Sequence, residues 1–294
     1  MKLISICVPI YNEQDNIKNL ITEIDYLFKG LKSYDYEIIF SDNNSNDDSE
    51  YLIKSICNKN KKIKYIRFKK NIGYDFSVFF NLLSSNGEAS VVIDCDLQDP
   101  IDKIADFLKY WEKGFDLIYG IRIRKNEEDF FFLFRKYYYK ILNKFSEKKY
   151  PLYAGDFRLI DRRIIRQFNL KNRETIITRC ISFDYSKNKF GIPYNRLQRN
   201  YGYSKYPFIK SLKYAFNTFV LKTNFFEVVF NLINITLIIL IFLFFILKMK
   251  FALLLNLLFI SVIFNIIYII LKKIIIKNHL IKKNKIEVQY KINF

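Results

Sequence analysis

Residues 91–100 of the chain read VVIDCDLQDP, an apolar run that ends in three carboxylates and a carboxamide. The β-branched start predicts a buried strand, and the acidic end places oxygen ligands where open α/β sheets bind them. Asp94 and Asp96 are two residues apart, so an extended chain points them the same way, and Gln98 continues the row. Such hard oxygen donors suit Mg²⁺ or Mn²⁺ holding a diphosphate. Taken alone, the stretch also fits a strand followed by an acidic turn.

Strands and helices alternate on both sides of this stretch. Strands are predicted at 3–10, 36–40, 63–68 and 115–120, and helices at 16–28, 50–58, 76–84 and from Pro100 to Lys113. Polar loops follow the strands, as in Pro9-Ile10-Tyr11-Asn12-Glu13 and in residues 41–49. This alternation predicts a parallel α/β sheet of nucleotide-binding type. Ordinary turns are the alternative for each loop, since Asn, Asp and Gly favour turns.

The composition indicates an anionic partner. Lys and Arg outnumber Asp and Glu by 48 to 29, which gives a formal charge of +19, and 51% of the 294 residues are hydrophobic. The basic clusters lie beside aromatic runs and form no continuous stripe, so a membrane surface is favoured and no nucleic acid is expected. Four scattered cysteines indicate reduced thiols in a cytosolic compartment. His279 is the only histidine, which argues against His-based catalysis.

Two aromatic and basic segments predict helices at a membrane surface. Residues 129–145 interleave Phe and Tyr with Arg135, Lys136 and Lys140, a composition typical of the headgroup region. A buried helix is the alternative for this segment. Residues 207–222 show a similar amphipathic pattern.

The last third of the chain predicts a transmembrane hairpin. Residues 228–247 and 251–271 carry no charge, and each reaches the roughly 20 residues that a span needs. Only Lys248-Met249-Lys250 separates them, whereas seven lysines lie between Lys272 and Lys291. The positive-inside rule therefore places the tail and the N-terminal domain in the cytoplasm. Two buried helices of a soluble protein are the alternative.

Several motifs occur in a characteristic order along the chain. They are Pro9-Ile10-Tyr11-Asn12-Glu13, the Asp42 loop, Asn71-Ile72-Gly73, Asp94 to Pro100, Gly120-Ile121-Arg122, Gly155-Asp156-Phe157-Arg158-Leu159 and Ser204-Lys205-Tyr206. With the terminal hairpin they cover essentially the whole chain. The chain thereby resembles the family 2 glycosyltransferases of the polyprenyl-phosphate class, which include dolichyl-phosphate mannose synthase and bacterial undecaprenyl-phosphate glycosyltransferases of O-antigen modification.

The resemblance implies a Rossmann-like GT-A domain that binds a nucleotide sugar, joined to interfacial helices and a transmembrane hairpin. The expected divisions are a cytoplasmic GT-A domain at 1–206, a juxtamembrane helix at 207–226, the hairpin at 227–271 and a basic cytoplasmic tail at 272–294. The protein would be a multi-pass protein of the inner membrane. Whether it forms a homo-oligomer is left open.

The resemblance also implies residue roles. The donor would be bound by Pro9, Tyr11, Glu13, Asp42, Asn71 and Asp94, with Arg199 and Lys205 on its phosphates. Asp94, Asp96 and Gln98 would hold Mg²⁺ or Mn²⁺. Arg122 and Arg135 would bind the acceptor phosphate, with Arg124 as the alternative to Arg135. Asp156 and Asp96 would be the catalytic residues, with Asp156 at the reaction centre.

The implied reaction is inverting transfer of a sugar from a nucleotide sugar to polyprenyl phosphate. A UDP-hexose is favoured as donor, and GDP-mannose is the other option. The acceptor is already an anion, so Asp156 is expected to orient the reactants more than to remove a proton. Two alternatives are kept: a lipid-linked saccharide or glycerolipid acceptor, and a non-enzymatic membrane protein with a worn glycosyltransferase domain.

Overall fold

The computed structural model describes residues 1–123, 130–168, 177–198, 208–247, 252–284 and 287–294. Its strands are β1 (Lys2–Ile10), β2 (Tyr34–Asp42), β3 (Ile63–Phe68), β4 (Ala89–Val92), β5 (Leu117–Ile123), β6 (Ala154–Asp161), β7 (Lys189–Asn195) and β8 (Val288–Ile292). Its helices are α1 (Gln14–Gly30), α2 (Ser49–Lys59), α3 (Tyr74–Ser84), α4 (Lys103–Glu112), α5 (Phe130–Phe145), α6 (Arg162–Ile165), α7 (Thr178–Tyr185), α8 (Phe208–Lys222), α9 (Phe225–Leu247) and α10 (Ala252–Asn284). Arg124, Arg199, Lys205 and the turn at 248–250 lie outside the described residues.

The described strands form one sheet in the order β7-β5-β6-β4-β1-β2-β3-β8. The four N-terminal strands are parallel, as predicted, but β6 runs antiparallel to both of its neighbours and β8 runs antiparallel to β3. The sheet is therefore mixed and not wholly parallel as predicted, and its two antiparallel strands, β6 and β8, were not predicted as strands. Both follow helical excursions, α5 and α8 to α10, that leave the sheet at its carboxyl edge. A chain that re-enters at the edge it left must run antiparallel.

Each face of the sheet has its own hydrophobic core. Successive residues of β2 show the alternation, because Ile38 and Phe40 belong to the core that packs on α1, α2 and α4, whereas Ile39 belongs to the core shared with α3 and α7. All of these strand residues are fully buried. A sheet covered on both faces leaves its strand ends as the place for a site.

The two C-terminal helices pack against each other near the domain. The rings of Phe226 and Tyr268 stack with centroids 5.3 Å apart, and Lys272 Nζ lies 2.8 Å from Glu227 Oε1. α10 extends beyond the predicted end of the second span at residue 271, and its chain then enters the sheet as β8. Within the described ranges no single helix has the length and hydropathy of a membrane span, although Ser211–Lys222 and Phe225–Leu240 meet those criteria together across a 62° bend.

Candidate functional site

Four carboxylates gather at the carboxyl edge of β4. Asp94 and Asp96 follow the strand directly, and Asp96 and Asp99 are buried. The hydroxyl of Tyr74, at the start of α3, donates to Asp94 Oδ1 over 2.9 Å. Burial, reinforced by the negative charges of Asp99, Asp156 and Asp96, raises the pKa of Asp94 to about 7. The site thus concentrates negative charge that a bound cation would relieve.

The loop after Asp96 is shaped by a left-handed residue. Leu97 has φ +56°, and the backbone N–H of Gln98 donates to Asp96 Oδ1 over 3.2 Å. The backbone of Leu197, just after β7, donates to the Gln98 carbonyl over 2.9 Å. A tight turn therefore separates Asp96 from Gln98. The spacing in the sequence instead predicted that Asp94, Asp96 and Gln98 lie along one extended segment.

Arg122 belongs to a polar cluster on the next strands. Its Nε donates to the Tyr194 hydroxyl over 3.0 Å, its Nη2 lies 3.4 Å from Asp99 Oδ1, and Tyr194 donates to the same carboxylate. Two glycines make room for this cluster. A Cβ on Gly120 would lie 2.4 Å from Tyr194 Cε1, and one on Gly155 would lie 3.0 Å from Arg122 Nε. These contacts explain the glycines of both motifs.

Asp156, in β6, is held by two arginines. Arg179 of α7 binds it with Nη2 at 2.7 Å from Oδ2 and Nε at 3.2 Å from Oδ1, and Arg158 Nη2 lies 3.6 Å from Oδ1. Burial raises the pKa of Asp156, but the charges of Arg179 and Arg158 outweigh it and lower that pKa to about 2. Such an acid is ionised at neutral pH and is too weak a base to serve in proton removal.

Arg158 is a buried cation with unsatisfied donors. Its side chain is 0% exposed, and among the described residues none of its three guanidinium nitrogens has a hydrogen-bond partner. Burial lowers the pKa of Arg158, although Asp156 opposes that shift. Together with Arg179 it gives this part of the site more positive than negative charge.

Four of the predicted donor residues, Pro9, Tyr11, Glu13 and Asp42, lie at the ends of β1 and β2 or in the loop after β1, and the loops after these two strands are bonded to each other. The backbone N–H of Asn12 donates to Ser45 Oγ over 2.9 Å, and that of Glu13 donates to Ser49 Oγ over 3.1 Å. These bonds join the loop after β1, which contains Tyr11 and follows Pro9 of the strand, to the loop after β2. The Asn71 side chain accepts the Gly73 N–H over 2.9 Å at the start of α3.

Asp42 organises the second loop from inside the protein. Its carboxylate is 0% exposed and accepts from the Ser45 backbone over 2.8 Å and from the Tyr65 hydroxyl over 2.6 Å. Arg67 forms an ion pair with the same group. The structure thus assigns Asp42 the support of the loop, and contact with a base stays a prediction.

An apolar cavity of about 540 Å³ lies between α5, α7 and α8. It is lined by aromatic and aliphatic side chains, and its charged lining residues are Arg135 and Arg179. Arg135 therefore lies in this cavity, whereas Arg122 lies with Asp99 and Tyr194. Through Arg179 the cavity meets Asp156.

Tyr74, Arg179 and Tyr194 were not predicted as site residues. Arg179 carried a usable signal, since it is a single charge between the apolar residues Ile177 and Ile181, and buried charges are nearly always paired. Its position is fixed by α3, because the N–H and hydroxyl of Thr178 donate to Asp75 Oδ1 over 2.9 and 3.0 Å. Tyr74 and Tyr194 carry no comparable signal.

Comparison with known proteins places these features in a family. The model of the family described as Glycosyl transferase family 2 matches residues 5–168. The putative glycosyltransferase CsbB of Bacillus subtilis (strain 168) is 34% identical over 217 residues, which cover 72% of this chain and 64% of the relative. The bactoprenol glucosyl transferase of Shigella phage SfV is 30% identical over 206 residues, covering 69% of this chain and 66% of the relative.

The matches therefore span slightly less than two thirds of these relatives' length. Among solved structures, glucosyl-3-phosphoglycerate synthase from Mycobacterium tuberculosis in complex with phosphoglyceric acid aligns with a TM-score of 0.51 at 17% identity. That alignment covers 76% of this chain and 80% of the other. At this identity the similarity concerns the fold alone.

Proposed function

Because the chain belongs to glycosyl transferase family 2, we propose that it is an inverting glycosyltransferase that moves a sugar from a nucleotide sugar to polyprenyl phosphate at the cytoplasmic face of a membrane. The observation that carries the proposal is the meeting of the carboxylates of Asp94, Asp96, Asp99 and Asp156 with Arg122 and Arg179 at one edge of the sheet. A diphosphate with its divalent cation matches such a mixture of charges.

The donor would lie across the loops after β1 and β2. Their mutual hydrogen bonds give a preformed edge for a nucleoside, and the adjacent carboxylates face its diphosphate. A UDP-hexose is the favoured donor, with GDP-mannose as the other option. Arg199 and Lys205 keep their proposed role on the donor phosphates.

Asp94, Asp96 and Gln98 would hold Mg²⁺ or Mn²⁺. The raised pKa of Asp94 supports this assignment, because crowded carboxylates are stabilised by a cation. Among the described residues no three His, Cys, Asp or Glu side chains form a ready-made metal site, so diphosphate oxygens would share the coordination. When bound, the ion supplies positive charge for the leaving nucleoside diphosphate.

The residues of this chain would act mainly by positioning. The acceptor phosphate is anionic at neutral pH and can attack the anomeric carbon without a strong base. The low pKa of Asp156 fits this chemistry, because an ionised carboxylate held by two arginines orients groups and accepts no proton. A single in-line displacement inverts the anomeric centre, so an α-linked donor gives a β-linked polyprenyl-phosphate sugar.

The helices at the carboxyl edge support a membrane-bound acceptor. Exposed apolar side chains include Phe134 and Tyr137 on α5 and Ile209 and Phe216 on α8, as on helices that lie in a headgroup region. We propose that α9 and α10 form the transmembrane hairpin, since most of their described Leu and Ile side chains are exposed. The bactoprenol glucosyl transferases among the relatives support a polyprenyl acceptor.

A transfer assay tests the proposal. Full-length protein in nanodiscs, undecaprenyl phosphate, Mn²⁺ or Mg²⁺ and a panel of labelled UDP- and GDP-sugars should move label into an organic-extractable lipid. Its mass should be that of a polyprenyl-phosphate sugar, and a chelator should abolish its formation. Asp96→Asn should lower the rate about 100-fold or more, since it removes one metal-binding charge.

The contrary results point to the two alternatives. Transfer only to a lipid-linked saccharide or glycerolipid would replace the proposed acceptor. Nucleotide binding without transfer or donor hydrolysis would favour the non-enzymatic reading. Activity of Asp96→Asn equal to that of the wild type would refute the assignment of Asp96 as a metal ligand.

A further inference from the structure

The Asp156–Arg179 pair lies where the charged site meets the apolar cavity. One side of Arg179 binds both oxygens of Asp156, and the other side lines the cavity between α5, α7 and α8. Because Asp156 interacts electrostatically with Asp94, it belongs to the same charge cluster as the cation site. Arg179 thus touches both regions.

The cavity has the chemistry of a site for an amphiphilic anion. Its volume of about 540 Å³ falls in the usual range of small-molecule sites, about 300–1,000 Å³. Tyr138, Tyr139, Leu142 and Phe183 line it with apolar surface. Arg179 retains 28% exposure of its side chain, so an anion entering with an apolar chain can reach its guanidinium.

Arg179 can serve two anions. A guanidinium has five N–H donors, and its two bonds to Asp156 use two of them. The neighbouring Arg158 is buried and has no hydrogen-bond partner in the part of the chain that the structure describes. It keeps a second positive charge next to Asp156 when Arg179 turns to another anion. The carboxylate of Asp156, which is 21% exposed, is therefore never left without a cation nearby.

Accordingly, we infer that Arg179 is shared between Asp156 and the phosphate of the lipid acceptor, so that acceptor binding strengthens cation binding at Asp94 and Asp96. The inference rests on the proposed function. An acceptor phosphate draws the guanidinium away from Asp156 and leaves the carboxylate less neutralised. The more negative cluster then attracts a divalent cation more strongly. Arg179 is thus an acceptor-binding residue that also couples the two sites.

Binding of Mn²⁺ to the full chain in detergent, followed by electron paramagnetic resonance of the free ion, tests the coupling. Undecaprenyl phosphate should tighten Mn²⁺ binding by about threefold to tenfold, and undecaprenol, which lacks the phosphate, should not. Arg179→Gln should bind Mn²⁺ more tightly than the wild type before any acceptor is added, because Arg158 alone then neutralises Asp156. Added undecaprenyl phosphate should then change its affinity little, while its KM for the acceptor rises.

Three variants complete the experiment. Arg166→Gln makes the same change at an exposed arginine of the sheet's other end and should behave as the wild type. Arg179→Lys keeps a charge and should retain part of the coupling. Asp156→Asn combined with Arg179→Gln removes one charge of each sign and should bind Mn²⁺ more weakly than Arg179→Gln alone.

The results separate the inference from the function it rests on. Equal Mn²⁺ affinity of Arg179→Gln and the wild type, or equal enhancement by undecaprenyl phosphate in both, overturns the inference even if the wild type transfers sugar normally. Absence of transfer by the wild type overturns the proposed function instead.

Discussion

Asp94 is half-buried among acidic neighbours, and its pKa of about 7 would make the proposed cation binding sensitive to pH near neutrality. A cation must displace the proton of Asp94, so affinity for Mn²⁺ should rise about tenfold per pH unit below pH 7 and level off above it. Titrations with Mn²⁺ between about pH 5.5 and 8.5 measure this. Since the pKa of Asp94 is raised from 3.8 to about 7 in the folded state, the cation-free protein should also lose stability as pH rises from about 4 to 7, with no further loss above pH 7.

Asp99→Asn provides the control for this pH dependence. After burial, Asp99 is the largest contributor to the raised pKa of Asp94. Removing its charge should move the midpoint of Mn²⁺ binding to lower pH. A midpoint that stays in place would show that the acidic neighbours do not set the titration.

Gly120 gives a prediction about packing. Gly120→Ala places a Cβ 2.4 Å from Tyr194 Cε1, so the ring must shift and its bonds with Arg122 and Asp99 must change. We expect a loss of about 1–3 kcal/mol in the free energy of unfolding, measured by urea denaturation. Gly30→Ala, which meets nothing within 4 Å, should leave stability unchanged or slightly higher. Equal stability of both variants would contradict the close approach.

At the scale of elements, β8 was missed in the sequence. Residues 288–292 were assigned to the basic tail, yet they pair antiparallel with β3. Their side chains alternate between half-buried and exposed, as in an edge strand. The same residues alternate between apolar and polar in the sequence, VQYKI, and this alternation could have predicted the strand. The strand was not predicted because lysines surround the segment, and a charged segment is usually interpreted as a solvated tail.

β8 supports the loop after β2 through Arg67. Gln289 Oε1 accepts from Arg67 Nε over 3.2 Å, and the same guanidinium binds Asp42 and donates to the Ser45 carbonyl over 3.0 Å. Gln289→Ala should therefore weaken nucleotide binding about threefold to tenfold, with little change in the KM for the acceptor. Nucleotide titration by calorimetry and the two KM values measure this.

Glu287→Ala is the matched control for Gln289→Ala. It removes an exposed ion pair with Lys69 directly before the same strand, and such pairs contribute little to stability. Nucleotide affinity should stay as in the wild type. If both variants weaken nucleotide binding equally, general fraying of β8 and not the contact with Arg67 is responsible.

At the scale of the whole molecule, the sheet holds the first and last described strands in one domain. β1 begins near the N-terminus and β8 lies near the C-terminus, and both belong to one sheet. Both ends must therefore lie on the same side of any membrane that α9 and α10 cross. An N-terminal tag and a C-terminal tag should be equally accessible to antibody in sealed right-side-out vesicles. In inverted vesicles both tags should become more accessible, to the same extent. Opposite access would exclude the hairpin.

Local sequence patterns predicted most of the secondary structure correctly. The N-terminal strands, α5 and α8 lie close to their predicted positions, because apolar periodicity and turn residues are properties of a few neighbouring residues. The membership in glycosyl transferase family 2 was also predicted, and is confirmed. The direction of β6 and β8 was not predicted, since it depends on where α5 and α8 to α10 leave and rejoin the sheet.

The sequence by itself determined the chemical groups of the site, because Asp94, Asp96, Arg122 and Asp156 lie in short motifs at strand ends. Only the tertiary structure decided their partners. Arg179 meets Asp156 across 23 residues, Tyr74 meets Asp94 across 20, and Gln289 meets Arg67 across 222. Charges and hydrogen bonds act through space, so the pKa values that follow from these pairs are set by how α3, α7 and β8 pack, which no local pattern records.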